Sequence, residues 1–168
     1  EAVADTNPDV ILAAYSGLTQ EDYDTLSEIA PVVAYPETAW ATSWRDMIRL
    51  NSQGMGLQAE GDALITELEG EIEATAAKYP SIQGKKTMFL THVDETDLSQ
   101  VSFYTTHDTR SAFFEDLGMT FPQSLVDASA STDQFSQTIS AEQTDTLADV
   151  EIIVTYGGEE LVQTLQGD

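Results

Sequence analysis

The densest group of side chains with chemistry to offer is the run Tyr104-Thr-Thr-His-Asp-Thr-Arg110. It leads into a helical pattern over 109–117, where unpaired backbone N–H groups and the helix dipole favour an anion. Arg110 presents a planar fork that can grip a carboxylate or a hydroxamate-type oxygen bidentately. The structural alternative is that Asp108 caps the helix and Arg110 pairs with a surface acid such as Glu115. His107 either touches a ligand or is an exposed loop residue. His92 and Asp94 alternate onto one face of a strand pattern. With His107 and Asp97 or Asp108 they make a candidate metal site. Two histidines fifteen residues apart, with no fixed third ligand, are a weak metal signature. No metal ligand is assigned.

A second pattern is spread along the chain. Tyr15, Tyr35, Tyr104 and Tyr156 each fall at the end of an expected strand, with Trp40 and Trp44 close to the second. In open α/β sheets ligands bind beyond the carboxyl ends of the parallel strands. Aromatic rings placed there supply rigid apolar area with a polar handle, although each alone also reads as half-buried packing. Catalytic signatures are missing: there is no Gly-x-Ser-x-Gly, no phosphate-binding Gly-Lys-Ser/Thr loop and no His-Glu-x-x-His. Adjacent acids such as Glu21-Asp22 and Glu159-Glu160 point apart and read as solvated surface.

These residues need elements to hold them. Parallel, buried strands are expected at 9–13 and 32–35, with a helix from Thr19 to Glu28 between them. Thr19 is the N-cap and Asp22 stands three residues on. A long helix is expected over 43–79, capped by Ser43, with an apolar stripe of Leu64, Ile65, Leu68, Ile72 and Ala76. Gly54, Gly56 and Gly61 weaken its middle and allow a bend or break. Strands are expected at 87–93, 101–104, 136–140 and 150–155. Helices are expected at 109–117, closed by Gly118, at 141–147, and after Tyr156-Gly157-Gly158 as far as Leu165. A last helical turn is expected over 1–6. The fold class is α/β: a first unit over 1–42, a connecting long helix over 43–80, and a second α/β unit over 81–168.

Thirty acids against six bases give a net charge of −24 at pH 7. Nucleic acid and anionic lipid both demand clustered Lys and Arg, so neither is a partner. The acids are spread along the chain as a solvated surface. The absence of cysteine excludes disulfides, Cys-ligated zinc and iron–sulfur clusters. No apolar run approaches the ~20 residues of a membrane span. The first unit has only two expected strands, and the chain opens on Glu1-Ala-Val-Ala-Asp5, without leader or Met. A fragment with sequence missing at both ends is the expectation.

Asn7-Pro-Asp-Val-Ile-Leu-Ala13, followed by Tyr23-Asp-Thr-Leu-Ser-Glu-Ile-Ala-Pro-Val-Val33, resembles the iron-siderophore and cobalamin binding proteins of ABC importers. Trp44-Arg-Asp-Met-Ile48, Asp108-Thr-Arg110 with Phe113 and Leu117-Gly118, and Leu147-Ala-Asp-Val-Glu-Ile-Ile-Val154 continue the match. Ala14-Tyr-Ser-Gly-Leu-Thr19 looks like actinobacterial members. The resemblance implies a class III substrate-binding protein: two Rossmann-like lobes joined by a long backbone helix, with the first lobe incomplete. It implies a binding protein and not an enzyme, with a ferric siderophore as ligand and no cofactor. It implies an ABC transporter permease as partner, docked through acids such as Glu21 or Asp22, and an extracytoplasmic, cell-surface lipoprotein of a Gram-positive bacterium, with its lipid upstream. Carried over by position, Tyr15, Tyr35, Tyr104, Arg110 and Tyr156 fall on loops that line the family's cleft; Trp40, close by, and His107, from the polar run, complete the expected ligand-binding set. With so few basic residues, a neutral or cationic hydroxamate-type chelate fits better than an anionic one. Haem, cobalamin or another chelate on the same scaffold stays open, as does a metal-dependent enzyme using His92 and His107.

Overall fold

The computed structural model of the protein describes residues 2–93 and 99–166. They fall into two compact units that divide between Ala74 and Thr75.

In the first unit a short 3-10 turn, Ala4–Thr6, stands where a helical turn was expected. Strand β1 (Ile11–Ala13) runs parallel to β2 (Val32–Ala34), pairing Ile11 with Val32 and Ala13 with Ala34. Helix α1 (Gln20–Ser27) connects them. Its start is chemically dictated. The Thr19 hydroxyl accepts the Asp22 N–H at 3.1 Å, and the Asp22 carboxylate accepts the Thr19 N–H at 3.2 Å. This reciprocal cap satisfies two otherwise orphaned donors. Bonds from Thr19, side chain first, hold Asp22 below the usual carboxylate range.

The helix expected as one rod over 43–79 is two helices, α2 (Trp44–Gly54) and α3 (Gln58–Ala76). Ser43 caps α2 as expected, its hydroxyl accepting the Asp46 N–H at 3.1 Å. The break comes at Gly56, whose φ of +73° only glycine adopts freely. Gly56 N–H reaches Gln53 O, and Leu57 N–H reaches back to Ser52 O at 2.8 Å. That bonding is a helix terminator written into the local chain. The neighbouring glycines serve packing. A side chain at Gly54 would collide with Val33 on β2, and one at Gly61 would collide with Ser52 on α2. Ile65, Leu68, Ile72 and Ala76 lie along the covered side of α3, whereas Leu64 is exposed. Glu67, Glu69, Glu71 and Glu73 face water, and Glu69 is met by Arg45 of α2 at 2.6 Å.

In the second unit β3 (Thr87–Phe89) pairs in parallel with β6 (Ile152–Val154), Met88 opposite Ile153. On its other side, at Lys86, β3 is bridged by Thr120. An antiparallel pair, β4 (Gln100–Tyr104) and β5 (Ser136–Ser140), joins this sheet through a bridge between Leu90 and Phe103. Met88, Leu90, Phe103 and Leu125 form the buried core. Helix α4 (Thr109–Asp116) ends at Gly118, φ +76°, with Met119 N–H bonded to Phe114 O. Helix α5 (Gln123–Ala130) was not expected; it brings Leu125 into the core. The short helix expected over Ala141–Leu147 is there as a 3-10 helix, and α6 (Glu159–Gln166) closes the described chain. The strand expected to be buried over 150–155 is covered on one face only, because Ile153 is 54% exposed. No helix among the described residues is long and apolar enough to cross a membrane.

Two ion pairs clip β3 to β6 at their amino ends: Lys85 with Glu151 at 2.6 Å and Lys86 with Asp149 at 2.8 Å. Hydrogen bonds from Lys85 and Lys86 respectively hold Glu151 and Asp149 below their ordinary values. A depressed folded-state value means the stabilisation is present above the unfolded value, near 4, and lost as pH falls through the folded one. Lys86→Met should therefore lower the unfolding midpoint at pH 7 and lose that effect below about pH 3. A difference that persisted in acid would exclude the ion pair as its cause. In the first unit, helix propensity alone predicts that Gly54→Ala stabilises by about 1 kcal/mol. The contact with Val33 predicts the opposite: a loss of about 1–3 kcal/mol, partly recovered by adding Val33→Ala, as read by denaturant unfolding.

Candidate functional site

The second unit gathers its polar and aromatic groups at the carboxyl ends of β3, β4 and β6. Tyr104 is the last residue of β4, Arg110 the second residue of α4, and Tyr156 stands two residues past β6. Phe89, the last residue of β3, is the hub. Its ring lies 5.4 Å from Tyr104, 6.0 Å from Phe114 and 5.3 Å from Tyr156. His92 meets the edge of Tyr156 at 4.6 Å.

Arg110 is held on three sides. Its Nε donates to Asp108 Oδ1 at 2.7 Å and its Nη2 to Asp108 Oδ2 at 2.6 Å. Its Nη1 donates to the Tyr104 hydroxyl at 2.9 Å, and its guanidinium stacks on the Tyr104 ring at 3.7 Å. Asp108 is fully buried and also accepts the Arg110 backbone N–H, which makes it the cap of α4. Arg110 therefore pairs with its own cap residue and not with Glu115. The helix terminus expected to attract a ligand anion already holds one, the Asp108 carboxylate. The bond that Arg110 donates to Asp108 drives the guanidinium further above its already high value, with Tyr156 adding to the effect. Burial, then the bond with Tyr156, raises Tyr104, so its phenol stays protonated and can donate or accept. The chemistry on offer is a set of rings around N–H and O–H donors whose cation is already paired.

The other expected site residues lie elsewhere. His107 is exposed, and its Nε2 bonds the Ser129 carbonyl at 3.0 Å. His92 and His107 thus take different partners, and Asp94 and Asp97 lie outside the described residues. Among the described residues no group of three His, Cys, Asp or Glu is placed to hold a metal. In the first unit Tyr15 and Trp40 meet edge to face at 5.4 Å. Trp40 adopts φ +63°, donates its backbone N–H to Ser16 O, and lays its indole over Gly17. Tyr35 donates its hydroxyl to Leu18 O at 2.8 Å. It lines a hollow of about 300 Å³ with Leu18, Thr19, Gln20, Tyr23 and Ala34. Trp44 stacks beneath Arg45. Phe89 was missed in the sequence. The signal that would have found it is its position as the final residue of a parallel strand, the same rule that picked out the tyrosines.

The family described as periplasmic binding protein matches residues 1–167. The chain belongs to that family. Among solved structures, the iron uptake ABC transporter substrate-binding protein PiaA of Streptococcus pneumoniae is 43% identical, over 99% of this chain and 57% of that one, with a TM-score of 0.89. PiaA in complex with ferrichrome matches at 43% identity and a TM-score of 0.91, over 99% and 56% of the two chains. A periplasmic solute binding protein of Mycobacterium smegmatis, 22% identical over 99% and 55%, shares the fold with a TM-score of 0.74. The chain thus spans a little over half the length of these structures, and it has the periplasmic-binding-protein fold. No curated protein sequence matches it.

A Cβ at residue 17 would lie 2.6 Å from the Trp40 indole nitrogen. Gly17→Ala is expected to shift tryptophan emission to longer wavelength while changing the unfolding free energy by less than about 1 kcal/mol. An unchanged spectrum would mean that the indole does not rest there in solution.

Proposed function

We propose that the whole protein is an extracytoplasmic substrate-binding protein that captures a ferric siderophore and passes it to the permease of an ABC importer. The observation that carries this reading is the pairing of the Tyr104–Arg110–Tyr156 cluster with 43% identity to a protein solved with ferrichrome. A ferric chelate arrives with its metal fully wrapped. It asks for aromatic surface and a few oriented donors, not for protein ligands to iron. The cluster supplies those groups. It holds no nucleophile paired with a base, which supports binding rather than catalysis. Attachment to a cell membrane by a lipid, docking of a permease through surface acids, and a Gram-positive source belong to the same reading and rest on family resemblance. Tyr15, Tyr35 and Trp40 are proposed as ligand contacts of the first unit.

The test is a titration of the whole protein with ferrichrome, haem and cobalamin, followed by tryptophan fluorescence. Saturable quenching by ferrichrome is expected, weakened at least about tenfold by Tyr104→Ala or Arg110→Ala, each of which removes a central contact. Quenching by haem or cobalamin alone would keep the fold and replace the ligand.

A further inference from the structure

We propose that Asp108 is a positioning residue that selects the charge class of the ferric chelate, favouring neutral over anionic complexes. The inference rests on the ferric-siderophore reading above. A guanidinium carries five N–H donors. Here the Nε and Nη2 edge is committed to Asp108 at 2.7 and 2.6 Å, and Nη1 donates to Tyr104 at 2.9 Å. One face lies on the Tyr104 ring. One further hydrogen on Nη1 and one on Nη2 remain, and the Tyr156 hydroxyl also bonds the guanidinium. A ligand therefore meets a fork whose Nε/Nη2 edge is taken and whose end-on Nη1/Nη2 edge is shared with Tyr156.

Charge follows the same logic. The Asp108 carboxylate is buried and cannot be screened by water, so it cancels the field of Arg110 at short range. Among the described residues of the second unit no other cation is paired with Asp108: Lys85 and Lys86 are taken up at the opposite, amino ends of β3 and β6. A neutral ferric tris-hydroxamate meets fixed donors and rings with no net field to oppose it. A ferric tris-catecholate, strongly anionic, meets a cation already spent and a carboxylate close behind it.

The experiment compares the whole protein with Asp108→Asn, measuring Kd for a neutral ferric tris-hydroxamate and for an anionic ferric tris-catecholate. Asparagine still caps α4 and keeps the size of the side chain, but it removes the charge and turns one acceptor of Arg110 into a donor. The expected result is a shift of the affinity ratio toward the anionic chelate by about tenfold or more, the scale of one uncompensated charge at this range. Asp108→Ser, also a good cap, should shift the ratio the same way, and melting curves check that both variants fold. If both chelates weaken by one common factor in both variants, Asp108 only supports the helix and the inference fails. A wild-type protein that prefers the anionic chelate also overturns it. A wild-type protein that binds neither sinks the ferric-siderophore reading, and this inference with it.

Discussion

A carboxylate shut away from water stays charged only if an opposite charge and hydrogen-bond donors stand against it. Asp108 in the second unit is such a group, and much around it follows from that constraint. It must accept the backbone N–H of Arg110, which fixes where α4 begins. It must also hold the guanidinium, which brings Arg110 down onto Tyr104. Tyr104 also meets Phe89 edge to face, and Phe89 in turn carries Tyr156. One satisfied burial thus orders donors and rings contributed by three strands and a helix.

The first unit is built on a different constraint, close approach. Its two strands are three residues each, too short to organise much surface. Order comes from α2 resting on β2 where Gly54 meets Val33, and from α3 resting on α2 where Gly61 meets Ser52. Between them the left-handed turn at Gly56 lets the chain double back within three residues.

What could be read from the sequence was whatever is enforced locally. The caps Thr19 and Ser43 and the terminator Gly118 sit where expected, and Asp108 takes the capping role that was the alternative reading, because each satisfies backbone groups within a few residues of itself. The tyrosines at strand ends were legible by the strand-end rule, and Tyr104, Arg110 and Tyr156 do meet. Long-range choices were not legible. Whether Arg110 takes Asp108 or Glu115 depends on which acid is buried. Gly54 and Gly61 read as helix weakeners because their packing partners, Val33 and Ser52, are known only once the chain has folded. Helix α5 went unread because it offers no side-chain cap and its polar residues dilute the apolar period.

The outer side of α3 carries a further consequence. Glu67 and Glu71, and Glu69 and Glu73, are like charges one turn apart, and among the described residues Glu69 alone of the four meets a cation, Arg45. Like charges at that spacing oppose the helix by a few tenths of a kcal/mol per pair. Dissolved cations relieve that opposition once the Debye length falls below roughly 10 Å, near 0.1 M salt. Added salt weakens a surface held by ion pairs, but it strengthens this helix, so the ionic medium acts as one of its structural components.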